Sequence, residues 1–102
     1  MNYKNHLEKL QTTLENEQID AFREEFLDMH PYEQAMFFME QSAERRLQIY
    51  AYLSPEELAE IMENIEIEDT KPFFTEMDPR FASMVFAEMA ADDAVDILNE
   101  MD

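Results

Sequence analysis

The chain of 102 residues contains no glycine and no cysteine, and these two absences exclude several classes of structure. Glycine is the usual residue for left-handed helix ends, two-residue hairpin turns and phosphate-binding loops, so a β-rich or nucleotide-binding fold is disfavoured. Without cysteine there is no disulfide, no thiolate metal site and no thiol nucleophile, which fits a reducing compartment. The cytoplasm is therefore the expected location.

Basic residues are also scarce, since 7 Lys and Arg stand against 25 Asp and Glu and the formal net charge is −18. Such a field repels nucleic acid and anionic membranes, and it attracts cations or a basic partner. Apolar runs are only a few residues long, so we expect a soluble chain with neither a membrane-spanning helix nor a signal peptide. Because 46% of the residues are nevertheless hydrophobic, we expect a packed single domain over residues 1–102.

The chain is built on a sequence repeat. Pro31, Pro55 and Pro79 lie 24 residues apart, each directly after a polar residue and before a helix-like run. The spacing halves to a 12-residue unit, in which the first position is usually apolar and the ninth and tenth are always bulky and apolar. Those pairs are Phe37-Phe38, Ile49-Tyr50, Ile61-Met62, Phe73-Phe74, Val85-Phe86 and Ile97-Leu98. A fixed period of this kind indicates short stacked helices, none of which buries its apolar stripe alone.

This pattern predicts an all-α fold. Apolar residues at three- and four-residue steps indicate helices over about 3–15 and 19–28, which we interpret as an N-terminal cap (1–28) before the repeats (29–102). Repeat helices are expected at 31–40, 43–52, 55–63, 79–88 and 91–100. Ser54-Pro55 and Asp78-Pro79 favour helix starts at these places. The Ser or Asp side chain caps the first backbone amides, and proline at the first helical position loses no hydrogen bond because that amide would have no partner. Pro72 would disrupt a helix, so we expect a loop before it and a brief helix over 72–76.

Methionine and histidine are assigned structural roles. The methionines at 29, 36, 39, 62, 77, 84, 89 and 101 would suit a groove for a partner helix, but their repeat positions favour the core. The paired aromatics are likewise interpreted as packing, because the surrounding charge is wrong for stacking on bases. His6 is expected to be a partly buried helix residue and His30 a cap.

Four runs along the chain occur in a recognisable order. They are HPYEQAMFFMEQ from His30, LSPEELAEIM from Leu53, MDPRFASMVF from Met77 and MAADDAVDIL from Met89. Taken together they resemble the cytoplasmic N-terminal domain of MgtE-type magnesium transporters, over nearly the whole chain. The resemblance implies a right-handed superhelix of short helices, an α-solenoid with the 12/24-residue repeat. It also implies that this chain is a fragment of a parent with paired CBS domains and a transmembrane pore.

In that family Mg²⁺ ions bridge the acidic face of the domain to the CBS domains and hold the closed state. The resemblance carries this role to Asp92 and Asp96 in the segment DDAVD, and to Glu60 in LAEIM, with Mg²⁺ bound weakly by the isolated domain. It implies CBS domains of the same chain as partners, a homodimeric parent, and a place on the cytoplasmic side of the cell membrane. Contact with the membrane would come only through the absent transmembrane domain.

The residues themselves leave two interpretations of the acidic row open. Asp92 and Asp96 are four apart and share a helix face with Glu100, so their charges repel one another. Mg²⁺ would relieve this repulsion, because it prefers oxygen ligands and often takes only one or two carboxylates. On residues alone, however, an acidic row is more often a solvated face, and Asp92-Asp93 also suit the first turn of a helix.

Other function classes fit the sequence less well than cation sensing. A protein-interaction solenoid, similar to the repeats of the flagellar motor switch protein, would present a docking surface and need no ion. From residue 44 onward there are 16 acidic and 4 basic residues, which favours sensing. An EF-hand loop requires glycine, and a zinc site is disfavoured without cysteine or HExxH spacing. No serine has a histidine near it in sequence, so we do not expect an enzyme.

Overall fold

The computed structural model describes residues 3–89, which contain seven α-helices and no strand. The helices are α1 (Tyr3–Glu15), α2 (Ile19–Leu27), α3 (Pro31–Glu40), α4 (Ala43–Tyr52), α5 (Pro55–Glu63), α6 (Ile67–Glu76) and α7 (Pro79–Glu88). The all-α prediction is confirmed, and six of these helices begin and end within one residue of the expected bounds. The helix expected over 91–100 lies outside the described residues.

The repeat helices begin at the predicted capping residues. Ser54 forms a capping box, in which its Oγ accepts the Glu57 N–H at 3.2 Å and Glu57 Oε1 accepts the Ser54 N–H at 2.8 Å. Asp78 accepts two backbone amides at the start of α7, and His30 accepts one through Nδ1 at 3.1 Å at the start of α3. In all three helices proline follows the cap, where its missing amide hydrogen would have had no partner.

Helix α1 ends in a left-handed turn although the chain has no glycine. Glu17 has a φ of 53° and is the only residue of positive φ in the described range. The Gln18 N–H donates to the Thr13 carbonyl at 2.9 Å, and the Glu17 N–H donates to the Leu14 carbonyl at 3.2 Å. These two bonds define a Schellman motif with glutamate at the position that glycine usually occupies.

Four later helices end on an extended residue instead. The end residue has a ψ of 155–156° and a side chain that is at most 8% exposed. These residues are Gln41, Leu53, Met77 and Met89. Each holds the first position of a 12-residue unit, and Ser42, Ser54 and Asp78 then cap the next helix. One extended residue and one cap therefore make the whole connection.

The expected loop before Pro72 is wrong, because α6 runs without interruption from Ile67 to Glu76. Pro72 is the sixth residue of the helix, so only the bond from its missing N–H to the Glu68 carbonyl is lost, and its ring lies exposed. Packing offsets that cost. Thr70 is fully buried, and Phe74 stacks on Phe86 of α7 with ring centroids 4.4 Å apart. Tertiary contacts therefore override the helix-breaking tendency of proline.

Residues up to Leu53 form one compact unit with an aromatic core. Its fully buried side chains are Leu10, Leu14, Phe22, Phe26, Phe37, Phe38 and Ile49. Phe22 stacks on Phe26 with centroids 5.1 Å apart, and Phe37 meets Phe26 edge-on at 6.1 Å. The buried amide of Gln34 donates to the Phe26 carbonyl at 3.0 Å, at the end of α2, where that carbonyl also accepts the Met29 N–H at 3.1 Å. Aromatic packing and this bond fix α3 against α2.

Residues from Ser54 onward form the second compact unit. Its fully buried side chains in the described range include Leu58, Ile61, Met62 and Val85, contributed by α5 and α7. Ile61, Met62 and Val85 hold the ninth or tenth place of a 12-residue unit, as the packing interpretation predicted. The prediction of one domain over 1–102, with 1–28 as a cap, stays a prediction, as does the right-handed superhelix.

The seven core-assigned methionines within residues 3–89 fall into two groups, and the core interpretation is right for only one of them, while Met101 lies outside the described residues. Side chains at 29, 62, 77 and 89 are between 1% and 6% exposed. Met36, Met39 and Met84 are instead 37%, 44% and 50% exposed, so assigning them to the core was wrong. The 12-residue period predicts which helix contains a residue. Whether its side chain is buried depends instead on the face of the helix on which it lies.

Candidate functional site

Glu60, one of the three predicted ligands, lies on the exposed side of α5. The apolar residues of this helix turn inward, and Leu58, Ala59, Ile61 and Met62 are at most 3% exposed. Glu60 stands on the opposite side and is exposed. The capping box of Ser54 fixes where the helix starts, and thereby which residues face solvent.

Glu60 is part of an acidic depression in the second unit. The depression has a volume of about 270 Å³. Its lining residues are Glu56, Glu57, Ala59, Glu60, Glu63 and Glu88. Five of these six residues carry carboxylates, and one of them, Glu88, comes from α7. The packing of α7 on α5 therefore adds a carboxylate from a second helix to the face that carries Glu60.

The acidic depression holds charges of one sign at close helical spacing. Glu56 and Glu60 are four residues apart, and Glu60 and Glu63 are three apart, so each pair shares a face of α5. Like charges at such spacings destabilise a helix by roughly 0.2–0.5 kcal/mol per pair. Lys71 and Arg80 are the only basic residues between positions 54 and 89. A cation held near this surface would therefore relieve repulsion.

The arrangement is not a complete metal site within residues 3–89. No group of three or more His, Asp or Glu side chains in that range is positioned to hold a metal ion. Glu60 could thus supply one carboxylate to an ion whose other ligands are water or groups from elsewhere, which is a coordination that Mg²⁺ accepts. Asp92 and Asp96, the other two predicted ligands, lie outside the described residues, so their position relative to Glu60 stays a prediction.

Sequence reasoning missed the other carboxylates of the depression. Glu56 and Glu63 had a readable signal, because they lie four before and three after Glu60 on one helix face. Glu88 had none, since it is 28 residues away and reaches the depression only through the packing of α7 on α5.

The first unit contains a second polar cluster, between α1 and α2. His6 is 7% exposed, as expected for a partly buried helix residue, and its Nδ1 is hydrogen-bonded to Oε2 of Glu25. Lys9 Nζ lies 3.9 Å from Oε1 of the same carboxylate. Beside this cluster is an open depression of about 470 Å³, whose lining includes Glu8 and Glu24. These contacts join α1 to α2, so the cluster is interpreted as structural.

Within residues 3–89, no helix combines the length and the apolar character that crossing a bilayer demands.

Comparison with known proteins gives three consistent results. The family described as the MgtE intracellular N domain matches residues 29–102. A magnesium transporter MgtE of Enterococcus faecalis is 47% identical over 49 residues, which are 48% of this chain and 11% of that protein. The crystal structure of the soluble part of a magnesium transporter superimposes with a TM-score of 0.92 at 39% identity, covering 99% of this chain and 40% of that one.

The matched segments thus cover about a tenth of the length of the matched transporter and two fifths of the matched soluble part. The family match extends over most of the chain, including all five repeat helices that residues 3–89 contain, and the structural likeness covers the amino-terminal helices as well. The resemblance found in the sequence is confirmed. The chain belongs to the family of MgtE intracellular N domains.

Proposed function

We propose that this chain is the magnesium-sensing regulatory domain of a magnesium transporter and lies on the cytoplasmic side of the membrane. Its acidic face binds Mg²⁺ together with CBS domains of the same parent, and the bound ions favour the closed state. When the Mg²⁺ concentration falls, the carboxylates repel one another and the domain separates from the CBS domains. Family membership supports this proposal, since the matched relatives are magnesium transporters.

The observation that carries the proposal is the acidic depression around Glu60. Five carboxylates line it, and the chain as a whole has a net charge of −18. Mg²⁺ is suited to such a surface because it prefers oxygen ligands and retains several waters. Asp92 and Asp96 are proposed as further ligands, with the remaining ones supplied by the CBS domains. Binding to this chain alone is therefore weak.

The proposed role is regulatory and not enzymatic, because the matched family consists of intracellular domains of transporters. The alternative of a solenoid similar to flagellar motor switch repeats has less support, since the family match assigns the chain elsewhere. The parent is proposed to be a homodimer that meets the membrane through its transmembrane domain.

The test is an NMR titration of the isotope-labelled chain with Mg²⁺ at constant ionic strength. We expect saturable shifts at Glu60 and at residues 92–100. They should weaken in Glu60→Gln and disappear in the double variant Asp92→Asn/Asp96→Asn. The matched control is Glu15→Gln, which removes one exposed carboxylate at the end of α1 and should leave the titration unchanged. Diffuse shifts that sodium reproduces would contradict the proposal.

Thermal unfolding provides a second measure of the same binding. An ion that binds only the folded chain stabilises it by about 0.4 kcal/mol when its concentration equals the Kd, and by about 1.4 kcal/mol at ten times the Kd. The increase should be absent when Asp92, Asp96 and Glu60 are all replaced by their amides.

A further inference from the structure

Helix α3 carries a stripe of exposed apolar side chains. Tyr32 is 59% exposed, Met36 37% and Met39 44%. They are separated by four and three residues, so they lie within one face of the helix. We call these three residues the α3 stripe. It extends over about two turns of the helix, on a chain of which nearly a third of the residues are charged.

The α3 stripe is not needed for the packing of its own helix. The core side of α3 is formed by Gln34, Ala35, Phe37 and Phe38, all at most 4% exposed. Those residues point into the first unit, where Phe37 meets Phe26 and Phe38 meets Tyr50. The stripe belongs to the remaining, outward part of the helix. Its apolar character therefore has a reason outside the fold of this unit.

The repeat provides an internal comparison. The places of Tyr32, Met36 and Met39 recur 24 residues later in α5, where all three residues are exposed glutamates. They are Glu56, Glu60 and Glu63. The corresponding places of α7 are Arg80, Met84 and Ala87, so charge is retained there at one place and the large apolar side chains are reduced to one. The repeat thus permits charge at these positions, whereas α3 has tyrosine and methionine there.

Carboxylates lie along one edge of the stripe. Glu33 and Glu40 are seven residues apart on α3, on the face next to that of the stripe. Methionine is flexible and polarisable, and it is frequent at surfaces that accept helices of varied shape. An apolar row with acidic groups along one edge is complementary to an amphipathic helix that has lysine or arginine at the border of its apolar face.

Charge disfavours two other candidate occupants. A second copy of this chain would bring together two molecules of net charge −18, and an anionic lipid surface would be repelled in the same way. We propose that the α3 stripe is a docking site for a basic amphipathic helix of a partner protein. This interaction goes beyond the proposed cation sensing, since it uses a different helix and requires no Mg²⁺.

The proposal is tested with a synthetic helical peptide whose leucines follow the i, i+3, i+4, i+7 pattern and whose other positions are lysine. A second peptide with glutamate in place of lysine is the charge control. Fluorescence anisotropy should detect binding of the lysine peptide alone. The double variant Met36→Ser/Met39→Ser should weaken binding by about tenfold or more, which corresponds to about 1.4 kcal/mol. Met84→Ser, at an equally exposed methionine of α7, is the matched control and should bind as the parent does.

Methionine oxidation gives a second readout, which locates the bound peptide on the chain. Dilute hydrogen peroxide converts exposed methionines to sulfoxides, which mass spectrometry counts residue by residue. Bound peptide should protect Met36 and Met39 and leave Met84 as reactive as before. Because all three side chains are exposed, these substitutions should preserve the circular dichroism spectrum and the thermal midpoint.

Three results would overturn the proposal. The first is equal binding of the lysine and glutamate peptides or no binding of either. The second is an equal loss of binding in the Met84 variant. The third is a concentration-dependent dimer, or adsorption to anionic vesicles, that disappears in Met36→Ser/Met39→Ser, because the occupant would then be a second copy or a lipid surface. None of these results bears on Mg²⁺ binding at Glu60.

Discussion

Replacing Glu17 by glycine should stabilise the protein, although Glu17 makes no core contact. This residue closes α1 in the left-handed conformation, with a φ of 53°, and its side chain is exposed. For a residue with a Cβ atom, that conformation costs about 1–2 kcal/mol. Glycine avoids the cost but loses more backbone entropy on folding, by about 0.4–1 kcal/mol. The expected net gain for Glu17→Gly is about 0.5–1 kcal/mol.

Thermal unfolding followed by far-UV circular dichroism measures this gain. About 1 kcal/mol shifts the midpoint of a domain of this size by about 4–8 °C, so Glu17→Gly should raise it by roughly 2–8 °C. The substitution also removes one negative charge from a chain of net charge −18. Glu17→Gln is therefore the matched control, since it removes the same charge and keeps the Cβ atom.

A second control separates the left-handed position from a general effect of glycine. Glu15→Gly places glycine in the last residue of α1, where the backbone is helical, and should lower stability by about 0.5–1 kcal/mol. If Glu17→Gly is no more stable than Glu17→Gln, the backbone at this position carries no cost and the reasoning from its φ is refuted.

Three further substitutions test the helix ends and the core, each by chemical denaturation. Ser54→Ala removes the acceptor of the capping box and should cost about 1 kcal/mol, whereas Ser54→Asp should retain most of the stability. Pro72→Ala restores an amide hydrogen opposite the Glu68 carbonyl and should stabilise α6 by about 1 kcal/mol or more; a loss would show that the ring itself is needed. Leu58→Ala should cost about 2–5 kcal/mol because Leu58 is fully buried, while Leu47→Ala, at a side chain 53% exposed, should stay within about 0.5 kcal/mol.

The helices were predictable wherever local signals agree. Ser54-Pro55 and Asp78-Pro79 each combine a cap, a proline at the first position and an apolar run, and all three signals lie within a few residues. The expected helix over 72–76 matches the second half of α6, but its first half was missed because tertiary contacts decide it. The stacking of Phe74 on Phe86 joins two helices. Rules about proline within a single helix do not include such contacts between helices.

The candidate site was predictable only in part, for a related reason. Glu60 follows from a motif, but Glu88 enters the acidic depression through the packing of two helices. The pairing of His6 with Glu25 likewise spans 19 residues and depends on the angle between α1 and α2. The prediction for the methionines failed where burial was inferred from the 12-residue period alone. Met36 and Met39 are exposed since their helix already buries Phe37 and Phe38 on its other side.

The extended residue Met77, within the second unit, makes a stiff joint between α6 and α7. Met77 forms the bend between α6 and α7, and its side chain is buried in the core at 5% exposure. The next residue, Asp78, accepts hydrogen bonds from the first backbone amides of α7. Turning the backbone at Met77 would withdraw the side chain from the core, so the joint resists bending. We therefore expect α6 and α7 to move together as one rigid pair. A force on one end of such a pair is transmitted along it instead of being absorbed at the bend.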